Sequence, residues 1–304
     1  MRSYFFACFG LTIALIGAGA FAADAGTIHV AAGESIQKAI DVAPAGAVIA
    51  LAPGIYDERI IIHKPLTLEG AGYEKTTIRP SGQAKFTQAQ KDAFFDQLEK
   101  TADPRRRMML AEQIANASAA PTILVESTKD VVIQHLAIGG VRTPYSEMLG
   151  ENAMVSFEGS AAKMSDCTVV GPGENGIRVI NGSDVDISRS LIAAMWNEGV
   201  SVYNEDRAAS ASKVHLSDCD IRNCYSRCVT IGCEGSVIER CRISGSAWHG
   251  IRYDYCSPKI IDNLIFANAR CGIYASGKTA ATVSGNVFWK NEMDGMSCWF
   301  QNAD

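Results

Sequence analysis

The phrase HGIRYD places His249, Arg252 and Asp254 within six residues. An imidazole takes or gives a proton near neutral pH. A guanidinium grips both oxygens of a carboxylate, and an acidic side chain can orient either neighbour. The same phrase also reads as scaffold, with Arg252 and Asp254 an ordinary surface ion pair. The choice depends on the elements that carry these positions, and so on whether the phrase recurs.

It does recur. The Gly250-Ile251 pair has equivalents at Gly176-Ile177, Gly199-Val200, Cys228-Val229, Gly272-Ile273 and Gly295-Met296. Successive anchors are 23, 29, 22, 22 and 23 residues apart, the long step carrying the loop-like insert NEDRAASAS. One and three residues after each anchor stand Ile177/Val179, Val200/Val202, Val229/Ile231, Ile251/Tyr253, Ile273/Ala275 and Met296/Cys298. Nine residues before each stand Cys167, Ser190, Cys219, Cys241, Asn263 and Asn286. Apolar residues at alternate positions mark strands with one face inward. A unit this short holds three strands but cannot bury its apolar face alone, so successive units must stack.

The repeat therefore predicts an all-β, right-handed parallel β-helix with 22–23-residue coils about 4.8 Å apart. The Cys/Ser/Asn column is expected at a tight turn, where Asn tolerates left-handed backbone and stacked side chains form a ladder. Cys167, Cys219 and Cys241 then serve as small buried hydrophobes. Cys219 and Cys241 fall on adjacent coils, where a disulfide is geometrically feasible.

The rest of the chain supplies ends and an insertion. In ESIQKAIDVA, Ser35 is placed to cap a short helix with Ile36, Ala39, Ile40 and Ala43 along one side, which would cover the open N-terminal end. Residues 81–121 break the repeat and predict a helical insertion, with Thr87 and Gln90 at capping-box spacing and Pro104 at a first helical position. Its Arg105, Arg106 and Arg107 read as a solvated face, or as part of a lid over an anionic ligand. Met1-Arg2, an apolar run from Tyr4 and the end Ala20-Phe21-Ala22 form a signal peptide over residues 1–22; an uncleaved anchor is the alternative. The mature domain, 23–304, is then expected outside the cytoplasm, secreted or periplasmic, with no membrane contact after cleavage. The chain stops part-way round a coil at GMSCWFQNAD, so it reads as a fragment or as a surface for a further domain or subunit to stack on.

Removing residues 1–22 takes away Cys8 and Arg2, so the 28 basic and 33 acidic residues become 27 and 33, a net charge of −6. This balance gives no support for nucleic-acid binding, which wants a basic field. Ten cysteines become nine, an odd number that leaves at least one thiol unpaired in a monomer.

The opening segment ESIQKAIDVAPAGAVIALAPGIYDERIIIHKPLTLEGAG and the coil phrases GIR…GSDVDIS and DNLIF-ANARCGIYASG resemble the pectate-lyase-like family of parallel β-helices, in its carbohydrate-binding and sugar-hydrolase branch. The resemblance covers nearly all of the mature chain outside residues 81–121. It implies that substrate lies along the outer face of one sheet, with the turn leading into that sheet supplying catalytic groups. Here that face is the strand carrying the anchor. Its outward column, two residues past each anchor, reads Arg178, Ser201, Thr230, Arg252, Tyr274, Ser297, and the residue before each anchor is Asn175, Glu198, Arg227, His249, Cys271 or Asp294. Aromatics are expected to gather in the turns preceding these strands, at Trp196, Tyr225, Trp248 and Trp289.

Aromatic faces with mixed charges suit sugars, and arginine suits their carboxylates. For a lyase or epimerase on an acidic glycan, Arg252 or Arg227 would neutralise the sugar carboxylate and His249 would take the neighbouring proton. Asp254 would orient one of them. Arg178, Glu198, Arg227, Trp248, Tyr274 and Asp294 are the expected substrate contacts. A glycosidase would instead need two carboxylates, from Glu198, Asp254 and Asp294. The paired aspartates and Gly-His-Gly of polygalacturonases, the acidic cluster of calcium-dependent pectate lyases and the Asp-Pro-His-Asp of alginate epimerases do not occur. No cofactor or metal is indicated, calcium included. Non-catalytic carbohydrate binding and a structural or assembly role stand as the alternatives.

Overall fold

The structure, a computed structural model, describes residues 26–80, 100, 102, 121–139, 153–171, 174–204 and 210–299. The expected signal peptide, nearly all of the helical insertion and the last five residues lie outside these. The described strands form three parallel sheets of ten, nine and nine strands. Each coil visits the sheets in turn. One coil runs through Ala161–Ser165 in the first sheet, Thr168–Val170 in the second and Asn175–Ile180 in the third. The next runs through Asp184–Ser188, Leu191–Ala193 and Glu198–Tyr203.

Strand register follows the anchor columns. In the third sheet Ile177 pairs with Val200, Val200 with Val229, Val229 with Ile251, Ile251 with Ile273 and Ile273 with Met296. The stack also continues upstream of the recognisable repeat, with Ile60 beside Ile123, Ile123 beside Val155, and Val155 beside Ile177. Sequence periodicity missed these coils because Arg59, Thr122 and Met154 occupy the anchor column there in succession, and because long segments separate them. At the N-terminal end, helix Ile36–Val42 buries Ile36, Ala39 and Ile40, and Ser35 Oγ accepts from the Lys38 N–H.

Close coil stacking explains the anchor glycines. A Cβ added at Gly199 would lie 2.5 Å from the Cys228 carbonyl oxygen, and one at Gly250 would lie 2.7 Å from that of Gly272. Both are far inside van der Waals contact, so a side chain there would force neighbouring coils apart.

The Cys/Ser/Asn column occupies the turn between the first and second sheets and is buried through Asn263. Its polar members bridge coils: the Cys167 N–H donates to Ser190 Oγ at 3.1 Å and the Cys241 N–H to Asn263 Oδ1 at 2.9 Å. Each thiol donates to the carbonyl two residues back, Cys167 to Ser165, Cys219 to Ser217 and Cys241 to Glu239. All nine described cysteines are free thiols. One expectation is corrected: the left-handed backbone falls on the residue before the ladder, at Asp166, Arg189, Asp218, Arg240 and Asp262. These surface residues, of which Asp166 is half-buried, alternate in sign along the axis and pair, Arg189 with Asp166 and Arg240 with Asp218. The arginines hold both of these carboxyls below the usual carboxylate range.

A second ladder, not read from the sequence, lines the turn between the second and third sheets. It comprises Cys224, Ser246, Asn268 and Asn291. The Ser246 N–H donates to Asn268 Oδ1 at 3.1 Å and the Asn268 N–H to Asn291 Oδ1 at 3.2 Å. This turn leads directly into the outward face of the third sheet.

Candidate active site

Two residues after the second-ladder positions come Ser226, Trp248, Arg270 and Met293, and three after them Arg227, His249, Cys271 and Asp294. The ladder sets the height of each coil, so side chains at like positions stack along the axis just ahead of the strand. His249 sits in this turn, because strand pairing in its coil begins only at Ile251. The imidazole is buried, 6% exposed, and stacks on Tyr274 of the next coil at 4.6 Å between ring centres. Trp248 meets it edge-on. Its Nδ1 has no hydrogen-bond partner among the described residues. Burial, and then the charges of Arg227, Arg270 and Arg252, push its pKa down to about 4. The ring is therefore neutral at physiological pH, an available base ringed by three cations.

The surrounding arginines differ in how their charge is met. Arg227 Nη1 lies 3.1 Å from Glu198 Oε1, which also accepts from Thr230 Oγ1 at 2.7 Å. Both partners of that pair are largely withdrawn from solvent. Arg252 Nε lies 2.7 Å from Asp254 Oδ2, close enough for an ion pair, although the N–H is not aligned on the carboxylate and makes no hydrogen bond. Asp254 also accepts from Ser276 Oγ. Arg178, 4% exposed, is paired with Glu158 at 2.8 Å. Arg270, absent from the sequence-based set, is exposed, and its guanidinium carbon lies 4.3 Å from the Trp248 ring centre. Arg227 lies over the same ring at 5.3 Å.

The residues expected from the sequence thus divide. His249, Arg252, Asp254, Arg227, Trp248 and Tyr274 belong to one contiguous patch over neighbouring coils. Arg178 and Glu198 line the same face but are buried in internal ion pairs, leaving almost no surface for a ligand. Asp294 is exposed in the last described coil. Trp289 lies on a strand of the second sheet, Val287–Trp289, so it is not one of the turn aromatics. Trp196 and Tyr225 are, and they stack at 4.8 Å. Arg270 could have been found from the column two residues before each anchor, Asn197, Ser226, Trp248, Arg270 and Met293, which puts it one coil beyond Trp248. Among the described residues no group of three His, Cys, Asp or Glu side chains is arranged to hold a metal ion, and no helix is long and apolar enough to cross a membrane.

Residues 153–304 match the family described as the right handed beta helix region. The chain belongs to this family and folds as a right-handed parallel β-helix. Among solved structures it is similar to pectate lyase Pel9A, with 12% identity, a TM-score of 0.59, and coverage of 92% of this chain and 78% of that one. Pectin methylesterase from carrot shares 15% identity at a TM-score of 0.55, covering 90% of this chain and 88% of that one. Pectin methylesterase from Aspergillus niger shares 12% identity at a TM-score of 0.53, covering 93% and 87%. At these identities the likeness is one of fold. No curated protein sequence matches the chain.

Proposed function

We propose that this protein acts outside the cytoplasm on an acidic polysaccharide, as a lyase or epimerase, with His249 as the base. The observation that carries this reading is a buried, neutral imidazole set among three guanidinium groups on the outer face of the third sheet. Solved structures of the same fold include enzymes named for pectate and pectin, which is consistent with a uronate-bearing glycan as substrate.

Cations facing a sugar carboxylate stabilise the charge that develops when the adjacent C–H is deprotonated. His249 takes that proton. If the electron pair then expels the neighbouring glycosidic oxygen, a C=C bond forms, the C–O bond breaks, and the leaving oxygen takes a proton from solvent. If a proton returns to the opposite face instead, the product is the epimer. Asp254 holds Arg252 near the reacting carboxylate, and Tyr274 packs the imidazole in place.

Mass spectrometry of products from plant, algal and bacterial acidic polysaccharides, run in deuterated water, tests this reading. Unsaturated ends are expected from a lyase and deuterium uptake without cleavage from an epimerase, with His249→Ala lowering either rate at least about 100-fold. Hydrolysed ends would move the chemistry to Asp254 and Asp294. Intact, unlabelled polymer beside an active control, with the glycan still bound, would make the chain a carbohydrate-binding module.

A further inference from the structure

We propose that Arg270 is the carboxylate-docking residue of this face, held on Trp248, and that it selects acidic over neutral sugars. The proposal rests on the acidic-glycan reading and deepens it by naming the group that reads the acid.

The other guanidinium groups of the face are engaged internally: Arg178 with Glu158, Arg227 with Glu198, and Arg252 with Asp254. A carboxylate arriving at Arg227 must compete with one already in place in a nearly dry setting, where charge pairs are costly to break. Arg270 has no carboxylate partner among the described residues and is exposed. Left to itself, a long exposed side chain would lose conformational freedom on binding. Stacking at 4.3 Å over Trp248 restrains the guanidinium beforehand and leaves its N–H edge for a ligand. The Trp248 ring lies between coils that each send it a guanidinium, Arg227 from one side in sequence and Arg270 from the other. This makes Trp248 a support for arginines more than a platform for a sugar ring.

The placement has a second consequence. Arg270 is close enough to His249 for its charge to oppose protonation of the imidazole. A substrate carboxylate docked on Arg270 offsets that charge, so binding the acid strengthens the base.

Calorimetric affinities of the full chain for trigalacturonate and trimannuronate, and for the same trimers with carboxyls reduced to alcohols, test the proposal. NMR titration of the His249 imidazole accompanies them. The wild type is expected to prefer at least one acidic trimer. Arg270→Gln should weaken that trimer about ten- to a hundred-fold and leave the reduced one unchanged. Arg270→Lys should restore part of the loss, and Trp248→Leu should weaken the acidic trimer less than Arg270→Gln does. Arg270→Gln should also raise the His249 pKa in the free protein, because one cation opposing its protonation is gone, and acidic trimer should then shift that pKa less than it does in the wild type. If the wild type prefers the acid and Arg270→Gln binds it equally well, the carboxylate docks elsewhere and the proposal is overturned while the acidic-glycan reading stands. If the wild type shows no preference between acidic and reduced trimers, that reading falls and takes the proposal with it.

Discussion

His249 is an imidazole whose surroundings all favour the neutral form. It is buried, its Nδ1 lacks a partner among the described residues, and the charges of Arg227, Arg270 and Arg252 act on it, with the Tyr274 ring packed on one side. This has a pH signature that does not depend on any substrate. The ordinary value near 6.5 applies to the unfolded chain and about 4 to the folded one. The neutral ring is thus favoured by folding. Its stabilising contribution is complete above pH 6.5 and is lost as pH falls through 6.5 toward 4, by at most about 3 kcal/mol. Urea unfolding at pH 7 and pH 4 should show a smaller acid loss for His249→Gln than for the wild type. Equal losses would mean that the imidazole is protonated freely in the native state.

At the scale of the element, the turn entering the third sheet depends on its ladder. Asn268 Oδ1 accepts the buried Ser246 N–H, and its Nδ2 donates to Asn291 Oδ1 at 2.9 Å. Alanine at 268 would leave the Ser246 N–H without a partner, at a cost of about 1–3 kcal/mol. Ser246 lies three residues before His249, so the same change should also loosen the patch. Asn268→Ala is expected to lower the urea midpoint and reduce glycan affinity together. Asn291→Ala, one coil further out and less buried, should do less of both. An equal effect at the two positions would show that the ladder acts only on global stability.

At the scale of the whole molecule, stability is close to one-dimensional, because each coil contacts its neighbours and little else. Interior coils bury their inward residues completely, as at Ile251 and Ile273, while Met296 in the last described coil is 36% exposed. Amide hydrogen exchange should therefore be faster around the partly exposed Met296 than around the fully buried Ile251 and Ile273. Uniform protection from Ile177 to Met296 would contradict a nearest-neighbour picture.

The stacked β-helix was legible in the sequence alone, because a coil that cannot bury its own apolar face imposes the same inward residues every 22–23 positions. The anchor glycines were legible for a related reason, since at Gly199 and Gly250 the adjacent carbonyl leaves no room for a Cβ. The upstream coils left a weaker mark, because Arg59, Thr122 and Met154 stand in the column that holds Gly176 and long segments separate them. Nor was the outward face fully readable. His249, Arg252 and Asp254 could be singled out as residues that packing does not dictate, but their states depend on partners one or two coils away. Glu198 neutralises Arg227 across a 29-residue step, and Arg270 meets Trp248 across 22. Such pairings are set by the height and rotation of each coil, which only the assembled stack determines. Which arginines are engaged, which one faces solvent, and that the histidine is neutral were therefore decided by tertiary structure.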